Sequence, residues 1–105
     1  MKFHVVWTEG ARTDLNRLTD HLLERELARD GGDLTLAEQA ITTIEGAVDL
    51  MSLHPYTCRK VGDDPRWREL VITFGRAGYL AQFRIAGETL IFVTALQHQL
   101  EDDYH

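Results

Sequence analysis

The apolar residues of this chain change their spacing at Pro55, and that change limits the folds open to it. Before Pro55 they recur every three or four residues, which is the period of an amphipathic helix. After it they alternate with other residues, as in strands. A chain of 105 residues can bury a core without a disulfide or a structural metal, and it is too short for two domains. We therefore expect a single α+β domain over residues 1–105.

The half before Pro55 predicts a short strand and two helices. Phe3–Trp7 is aromatic and β-branched, which favours a strand, and Thr8 is a suitable N-cap for the helix that follows. This helix should end near the paired glycines of 29–32, and Thr35 with Glu38 has the spacing of a capping box for the second. The apolar stripes are Ala11, Leu15, Leu18 and Leu22 on the first helix and Ala37, Ala40, Ile41, Ile44, Ala47, Val48 and Met51 on the second. The short loop between the helices predicts an antiparallel helical hairpin.

The half after Pro55 predicts a sheet. Residues 56–66 are rich in glycine, proline and aspartate and predict a loop. The predicted strands are Arg68–Phe74, Tyr79–Ala86 and Thr89–Leu96, joined by turns at 75–78, where glycines supply positive φ, and 87–88. Residues 97–105 predict a polar tail or a short terminal helix. The resulting order is β-α-α-β-β-β, with the hairpin on one face of a small antiparallel sheet and the other face exposed.

Charge is unevenly distributed along the chain. The formal net charge is −6. Residues 53–87, however, contain six basic and three acidic side chains. The basic residues of this segment are Arg59, Lys60, Arg66, Arg68, Arg76 and Arg84. They predict either a charged sheet edge, which we favour, or a local nucleic-acid site; the overall negative charge does not favour direct nucleic-acid binding.

Several kinds of site find no support in the sequence. The single Cys58 allows neither an intrachain disulfide nor a thiolate cluster, and the five histidines are scattered without ligand spacing. No glycine-rich phosphate loop is present, and no run approaches the ~20 apolar residues of a membrane span. We therefore predict no metal, no cofactor, no membrane association and a cytoplasmic location.

Six short strings follow one another along nearly the whole chain: Val5–Thr8, Ala11–Leu15, Leu53–Pro55, Arg68–Val71, Tyr79–Ile85 and His98–His105. In this order and spacing they resemble the RelE/ParE superfamily, the toxins of bacterial type II toxin–antitoxin pairs. The resemblance implies a helical hairpin packed on a small antiparallel sheet, and a cognate antitoxin as partner. It leaves two activities open, since RelE-like members cleave messenger RNA in the ribosome and ParE-like members inhibit DNA gyrase.

Residue matching within the superfamily argues against the RelE-type mechanism. RelE-type nucleases have lysines on the strand that here carries Val71 and Thr73, and arginines where this chain has Leu80 and, near the end, Gln99. Those cations would stabilise a strained phosphate and its leaving group. A related nuclease branch has a C-terminal His-Tyr pair, of which this chain matches only His98.

The end of the chain favours the ParE-like branch. There the end often looks like Arg-His-Gln-Arg-Glu-Asp-Asp-Tyr-His, and this chain has Gln97 and Leu100 in place of the two arginines. The resemblance implies DNA gyrase as the target and a target-binding surface of Gln97, His98, Leu100 and Tyr104. Arginine is a favoured anchor at interfaces, so its loss at two positions predicts an attenuated toxin.

Two alternatives to gyrase inhibition stay open. One is a ribosome-dependent endoribonuclease with an unusual catalytic set, Arg68, Arg76, Arg84 and His98; the other is a non-toxic relic that only binds its antitoxin. We expect the antitoxin to lie as an extended or helical segment over apolar grooves of the hairpin and sheet, with contacts at Leu15, Leu18, Leu22, Ile41, Ile44 and Val48. A homodimer and a heterotetramer with the antitoxin are both compatible with the sequence.

Overall fold

The computed structural model describes residues 2–99, which form two α-helices, a short 3-10 helix and five strands. In chain order they are β1 His4–Trp7, α1 Glu9–Leu27, α2 Leu36–Met51, the 3-10 helix Pro55–Thr57, β2 Arg59–Lys60, β3 Trp67–Phe74, β4 Ala77–Ala86 and β5 Leu90–His98. The predicted α+β class is confirmed. Of the predicted tail, residues 100–105, which include Leu100 and Tyr104, lie outside the described residues. None of the helices within 2–99 is long and apolar enough to cross a membrane.

The sheet has the strand order β1-β5-β4-β3-β2. Strands β3, β4 and β5 form the predicted antiparallel meander. The edge strand β1 instead pairs in parallel with β5, placing His4 opposite Leu90 and Trp7 opposite Val93, so the sheet is mixed. Parallel pairing needs a long crossover, and the hairpin and most of the meander lie between these two strands. The other edge, β2, lies in the segment predicted as a loop.

The ends of the helices match the predicted capping only in part. The Thr8 hydroxyl accepts a hydrogen bond from the Ala11 N–H at 3.2 Å, as expected of an N-cap. The predicted capping box of Thr35 and Glu38 is wrong, because Thr35 has helical backbone angles and makes no side-chain cap. One carboxylate oxygen of Asp33 accepts from both the N–H and the hydroxyl of Thr35, at 2.9 and 2.6 Å, and thereby replaces the box.

Both helices pack on the same face of the sheet and bury two adjacent clusters. One contains Leu18, Leu22, Ala40, Ile44, Ile72, Tyr79, Ala81 and Leu96. The other contains Ala11, Val48, Met51, Phe83, Ile85, Ile91 and Val93. On β4, Phe83 and Ile85 are fully buried, and on β5 so are Ile91 and Val93. This two-residue spacing places one face of these strand segments in the core. Nearer the β3–β4 turn, Leu80 on the opposite face of β4 is buried as well.

The turn between β3 and β4 consists of Gly75 and Arg76, and it is shorter than the predicted four residues. Gly75 has a φ of +62°, which favours glycine. Gly78 was predicted to be a turn glycine, but it lies in β4 and has no positive φ. A Cβ there would lie 2.1 Å from the Ile72 carbonyl oxygen, so close packing against β3 requires the glycine.

Candidate interaction groove

A groove of about 980 Å³ lies between the second half of α1, the start of α2 and the β3–β4 turn. The residues that line it are Leu18, His21, Leu22, Arg25, Arg29, Leu36, Gln39, Phe74, Gly75, Arg76, Ala77, Tyr79 and His98. Its floor is apolar, because Leu18 and Leu22 reach it from α1 and Leu36 from α2. An apolar floor with a few polar groups around it is the usual composition of a binding site.

Three rings form the wall of the groove on the side of the sheet. Tyr79 and His98 are directly opposite each other on β4 and β5, and their rings meet edge to face at 5.6 Å between centroids. Phe74 continues the row, with its ring centroid 6.0 Å from that of Tyr79. Burial raises the pKa of the Tyr79 hydroxyl, so this phenol stays protonated at neutral pH.

The rim of the groove is basic. Arg25 and Arg29 lie on α1 and Arg76 in the β3–β4 turn, with two histidines nearby, and none of the described residues that line the groove is acidic. Arg76 is exposed, and neither a hydrogen bond nor an ion pair to another residue within 2–99 holds it. In a chain with a net charge of −6 this is a local concentration of positive charge.

A buried carboxylate braces the rim from behind. Glu26 is 3% exposed, and its Oε2 lies 3.5 Å from Nε of Arg25 and 3.6 Å from Nη1 of Arg29. Its other contact is the Asp33 N–H, which donates to Oε1 at 3.0 Å. This hydrogen bond, followed by the two arginines, holds the pKa of Glu26 below its usual value. Glu26 therefore ties the end of α1 to the loop that leads into α2.

Sequence reasoning missed most of this groove, although α1 carries a signal for it. His21, Arg25 and Arg29 are spaced by four residues, which places three basic side chains in one row along the helix. The same spacing also describes an ordinary solvated helix face. Only the position of the β3–β4 turn shows that this row borders an apolar groove.

The six residues predicted to contact the antitoxin do not form one surface. Leu18, Leu22, Ile44 and Val48 are between 0 and 6% exposed and belong to the core, whereas Leu15 and Ile41 are partly buried. Of the six, only Leu18 and Leu22 line the groove. Ile44 and Val48 are therefore unavailable to a partner in this structure. The reason is that the stripe of each helix covers the chain's own sheet.

The four residues of the predicted nuclease set are divided between two regions. Arg76 and His98 line the groove. Arg68 instead donates hydrogen bonds to the carbonyl oxygens of Pro65, Tyr56 and Cys58, at 2.7, 3.1 and 2.9 Å, and so holds the loop before β3 in place.

The remaining basic residues of the central segment have contacts of their own. The Arg84 guanidinium lies 6.0 Å from the centre of the Trp67 ring, a cation–π contact. Arg59 donates to Glu69 at 2.7 Å across the β2–β3 pair, and Arg66 lies 3.4 Å from Asp64. These contacts favour a charged sheet edge over a nucleic-acid site. Nowhere within 2–99 do three histidine, cysteine or acidic side chains gather as metal ligands.

The predicted target-binding residues also separate. Gln97 and His98 belong to β5 rather than to a tail, and neighbouring strand residues point to opposite faces of a sheet. His98 faces the groove, whereas Gln97 lies on the face without helices, beside Leu80 and in the same row as Val71. Leu100 and Tyr104 fall beyond the described range.

The face of the sheet without helices is the open face. Its end nearest the β3–β4 turn contains the positions at which a RelE-type nuclease would have cations. Val71 and Thr73 are exposed on β3, Leu80 is opposite Val71 on β4, and the side-chain oxygen of Gln99 lies close to Gly78. The structure therefore brings these positions together. The side chains that occupy them are uncharged.

Comparisons with known proteins support the sequence resemblance. The sequence model of a family described as ParE toxin of type II toxin-antitoxin system, parDE, matches residues 5–103. Toxin RelE1 of Caulobacter vibrioides is 34% identical over 101 residues, which cover 96% of this chain and 98% of that protein. A chain in the structure of a chromosomal ParDE system from P. aeruginosa superposes with a TM-score of 0.68 at 22% identity, covering 92% of this chain and 96% of that one.

Proposed function

Since the chain belongs to the ParE toxin family of type II toxin–antitoxin systems, we propose that it acts by binding DNA gyrase rather than by cutting RNA. Its expected place of action is the cytoplasm, and a cognate antitoxin neutralises it there. The functional residues that we assign to target binding are Gln97 and His98 at the end of β5, with Leu100 and Tyr104 beyond it.

The observation that carries this proposal is the uncharged end of the open sheet face. Cleavage of an RNA backbone requires groups that stabilise the negative charge of the transition state, and cations are the most effective of these. Val71, Thr73 and Leu80 supply none. Beside Gln97, the exposed side chain of Val71 is suited to contact with a protein, because aliphatic groups gain free energy when they leave water, whereas Leu80 is already buried within this chain.

Inhibition of supercoiling by the purified chain tests the proposal. We expect gyrase to lose activity in the presence of the full chain and to regain it on addition of antitoxin. Restoring the two arginines, as Gln97→Arg with Leu100→Arg, should lower the half-inhibitory concentration about tenfold or more, since interface arginines commonly contribute over 1 kcal/mol each.

The matched control is Gln82→Arg, which makes the same chemical change on β4. Gln82 lies two residues after Leu80, farther from the β3–β4 turn. It should leave inhibition within about twofold of the original chain. Cleavage of messenger RNA by the purified chain in a reconstituted translation system, without any effect on gyrase, would show that the proposal is wrong. Antitoxin binding without either effect would identify a non-toxic relic.

One observation favours the nuclease as a second candidate. Arg76 and His98 line the same groove, and a guanidinium with an imidazole can in principle stabilise a phosphate and transfer a proton. If this candidate is correct, primer extension on transcripts will show breaks within codons, and His98→Asn will abolish them while the chain remains folded.

A further inference from the structure

Strand β5 contains one residue that has no counterpart on its neighbour β4. Phe83 on β4 is opposite Val93, and the residue before it, Gln82, is opposite Ala95, so Thr94 is left over. Such an extra residue is a β-bulge, and bulges are common next to functional sites, where they re-aim a side chain. Because side chains alternate between the two faces of a strand, one extra residue exchanges the faces for every residue that follows it.

The burial of β5 shows this exchange. Before the bulge the core residues are Ile91 and Val93, both 0% exposed; after it the core residue is Leu96, which is 1% exposed, and His98 lines the groove. Gln97 therefore lies on the open face. In an uninterrupted strand Gln97 would share the face of Ile91 and Val93 instead. The bulge thus decides that Gln97, rather than His98, is presented on the open face.

Side chains from β5 and from α1 hold the bulge in place. The Thr94 hydroxyl donates to the Gln82 carbonyl oxygen at 3.2 Å, which ties the extra residue to β4. On the outer edge, β1 pairs with β5 only as far as Val93, and among residues 2–99 no strand continues beside it. Asp14 of α1 takes that place, because its Oδ2 accepts from the Leu96 N–H at 3.0 Å. The return of β5 to the core is therefore anchored by a residue 82 positions earlier in the chain.

We propose that Asp14 is a positioning residue for target binding. By accepting from the Leu96 N–H it stabilises the bulge, and the bulge holds Gln97 on the open face, in the same row as Val71. The inference rests on the proposed function in taking Gln97 as a target-binding residue. The contact between Asp14 and β5 is independent of the target.

Removing Thr94 gives a chain in which the faces no longer depend on a bulge. Val93 then precedes Ala95 directly, and the pairs on either side of the bulge follow one another in a regular ladder. Simple alternation places Gln97 on the open face of that chain. The competing register, which turns Gln97 toward the helices, exists only while Thr94 is present. Deletion of Thr94 should therefore compensate for the loss of Asp14.

The supercoiling assay measures the consequence for target binding. Asp14→Ala should raise the half-inhibitory concentration about tenfold, because it leaves the Leu96 N–H without its acceptor, whereas Asp14→Asn, whose amide oxygen still accepts, should stay within about threefold of the original chain. Deleting Thr94 from the Asp14→Ala chain should bring inhibition back to within about threefold of the original. Asp20→Ala makes the same chemical change at an exposed position of α1 and should alter inhibition less than about twofold.

A second variant weakens the bulge from the other side. Thr94→Val removes the hydroxyl that donates to the Gln82 carbonyl oxygen and leaves Asp14 in place. It should raise the half-inhibitory concentration about threefold, in the same direction as Asp14→Ala. This variant tests the role of the bulge even if Asp14→Ala does not fold, and an unchanged concentration would count against that role.

Amide hydrogen exchange separates positioning from a loss of overall stability. A global loss accelerates exchange on both sides of the bulge alike, whereas a local one acts only beyond it. In Asp14→Ala, exchange at Leu96 and Gln97 should accelerate at least about tenfold more than exchange at Ile91, which precedes the bulge.

The contact between Tyr79 and His98 gives a spectroscopic signal of the same change. Their rings meet edge to face at 5.6 Å because His98 lies on the side of the sheet that faces the helices. Asp14→Ala should weaken the nuclear Overhauser effect between the two rings, and deletion of Thr94 in the same chain should restore it.

The proposal fails in any of three cases. One is an Asp14→Ala chain that inhibits gyrase as well as the original does. Another is a loss of inhibition that deletion of Thr94 does not restore, because Asp14 then acts by a route other than the bulge. The third is exchange that accelerates equally at Ile91 and Leu96, which would show a purely structural role.

The two kinds of measurement also separate this inference from the proposed function. If the original chain does not inhibit gyrase, the target is wrong. The exchange pattern and the contact between the two rings then still decide whether Asp14 positions the end of β5. If gyrase is inhibited but Asp14→Ala changes neither inhibition nor exchange, the positioning role is wrong and the proposed function stands.

Discussion

Replacing Ile44 by alanine tests whether the apolar stripe of α2 belongs to the chain's own core. Ile44 is 0% exposed and packs in the cluster beneath the hairpin, whereas Ile41, three residues earlier on the same helix, is only partly buried. Both were predicted from the sequence to contact the antitoxin. The two isoleucines therefore form a matched pair that differs in burial.

The expected loss of stability follows from the size of the buried group. Ile→Ala removes three carbons, each worth about 0.8 kcal/mol when fully buried, and the cavity left behind raises the total for Ile44 to about 3–4 kcal/mol. For the partly exposed Ile41 we expect about 1–1.5 kcal/mol, since its methyl groups lose less burial and the surroundings can relax. Helix propensity changes equally at both positions and cancels.

Equilibrium unfolding in urea, followed by circular dichroism, measures the difference. The slope against denaturant should stay constant while the midpoint falls, and Ile44→Val, with an expected loss of about 1 kcal/mol, supplies a second value if the alanine variant does not fold. Equal losses at Ile41 and Ile44 would refute the assignment of Ile44 to the core. So would an unchanged midpoint for Ile44→Ala together with a loss of antitoxin binding.

Three further predictions follow from local contacts. Gly78→Ala should lower the free energy of unfolding by about 3 kcal/mol, because its Cβ would collide with a carbonyl oxygen of β3. Gly46→Ala in α2 meets nothing within 4 Å and should raise the free energy of unfolding by about 1 kcal/mol; thermal unfolding distinguishes the two variants. Glu26→Gln should lower the free energy of unfolding at pH 7. Because the pKa of Glu26 is lowered, its contribution to the free energy of unfolding is present above about pH 4.5 and is lost as the pH falls through the folded-state pKa. Urea unfolding at pH 7 and pH 3 should therefore show a smaller difference in stability between Glu26→Gln and the original chain at the lower pH. Thr8→Ala should cost about 1 kcal/mol through loss of a helix cap, and Thr35→Ala less than half as much, since Thr35 caps nothing; equal losses would contradict the capping assignment.

Most elements of the fold were predictable because their signals are local. The spacing of apolar residues distinguishes helix from strand within a few turns, and a cap such as Thr8 acts on residues three positions away. Where a second local group competes, the same reasoning fails. The capping box at Thr35 was wrong because Asp33, two residues earlier, binds the same hydroxyl and N–H.

The candidate site was less predictable because its residues are distant in sequence. Arg76 and His98 were singled out in advance, but the groove they line also needs Arg25, Leu36 and Phe74. Nothing in the spacing of these residues relates one to another. Their common location depends on how the hairpin lies across the sheet.

By itself the sequence determined the α+β class, the order of most of the elements, the family and the uncharged side chains at Val71, Thr73 and Leu80, because each depends on residue identity or short-range periodicity. The tertiary structure decided which partners these elements meet. It paired β1 in parallel with β5, buried the hairpin stripe in the core, and left a basic-rimmed groove beside it. Periodicity defines which face of an element is apolar, but long-range packing decides what covers that face.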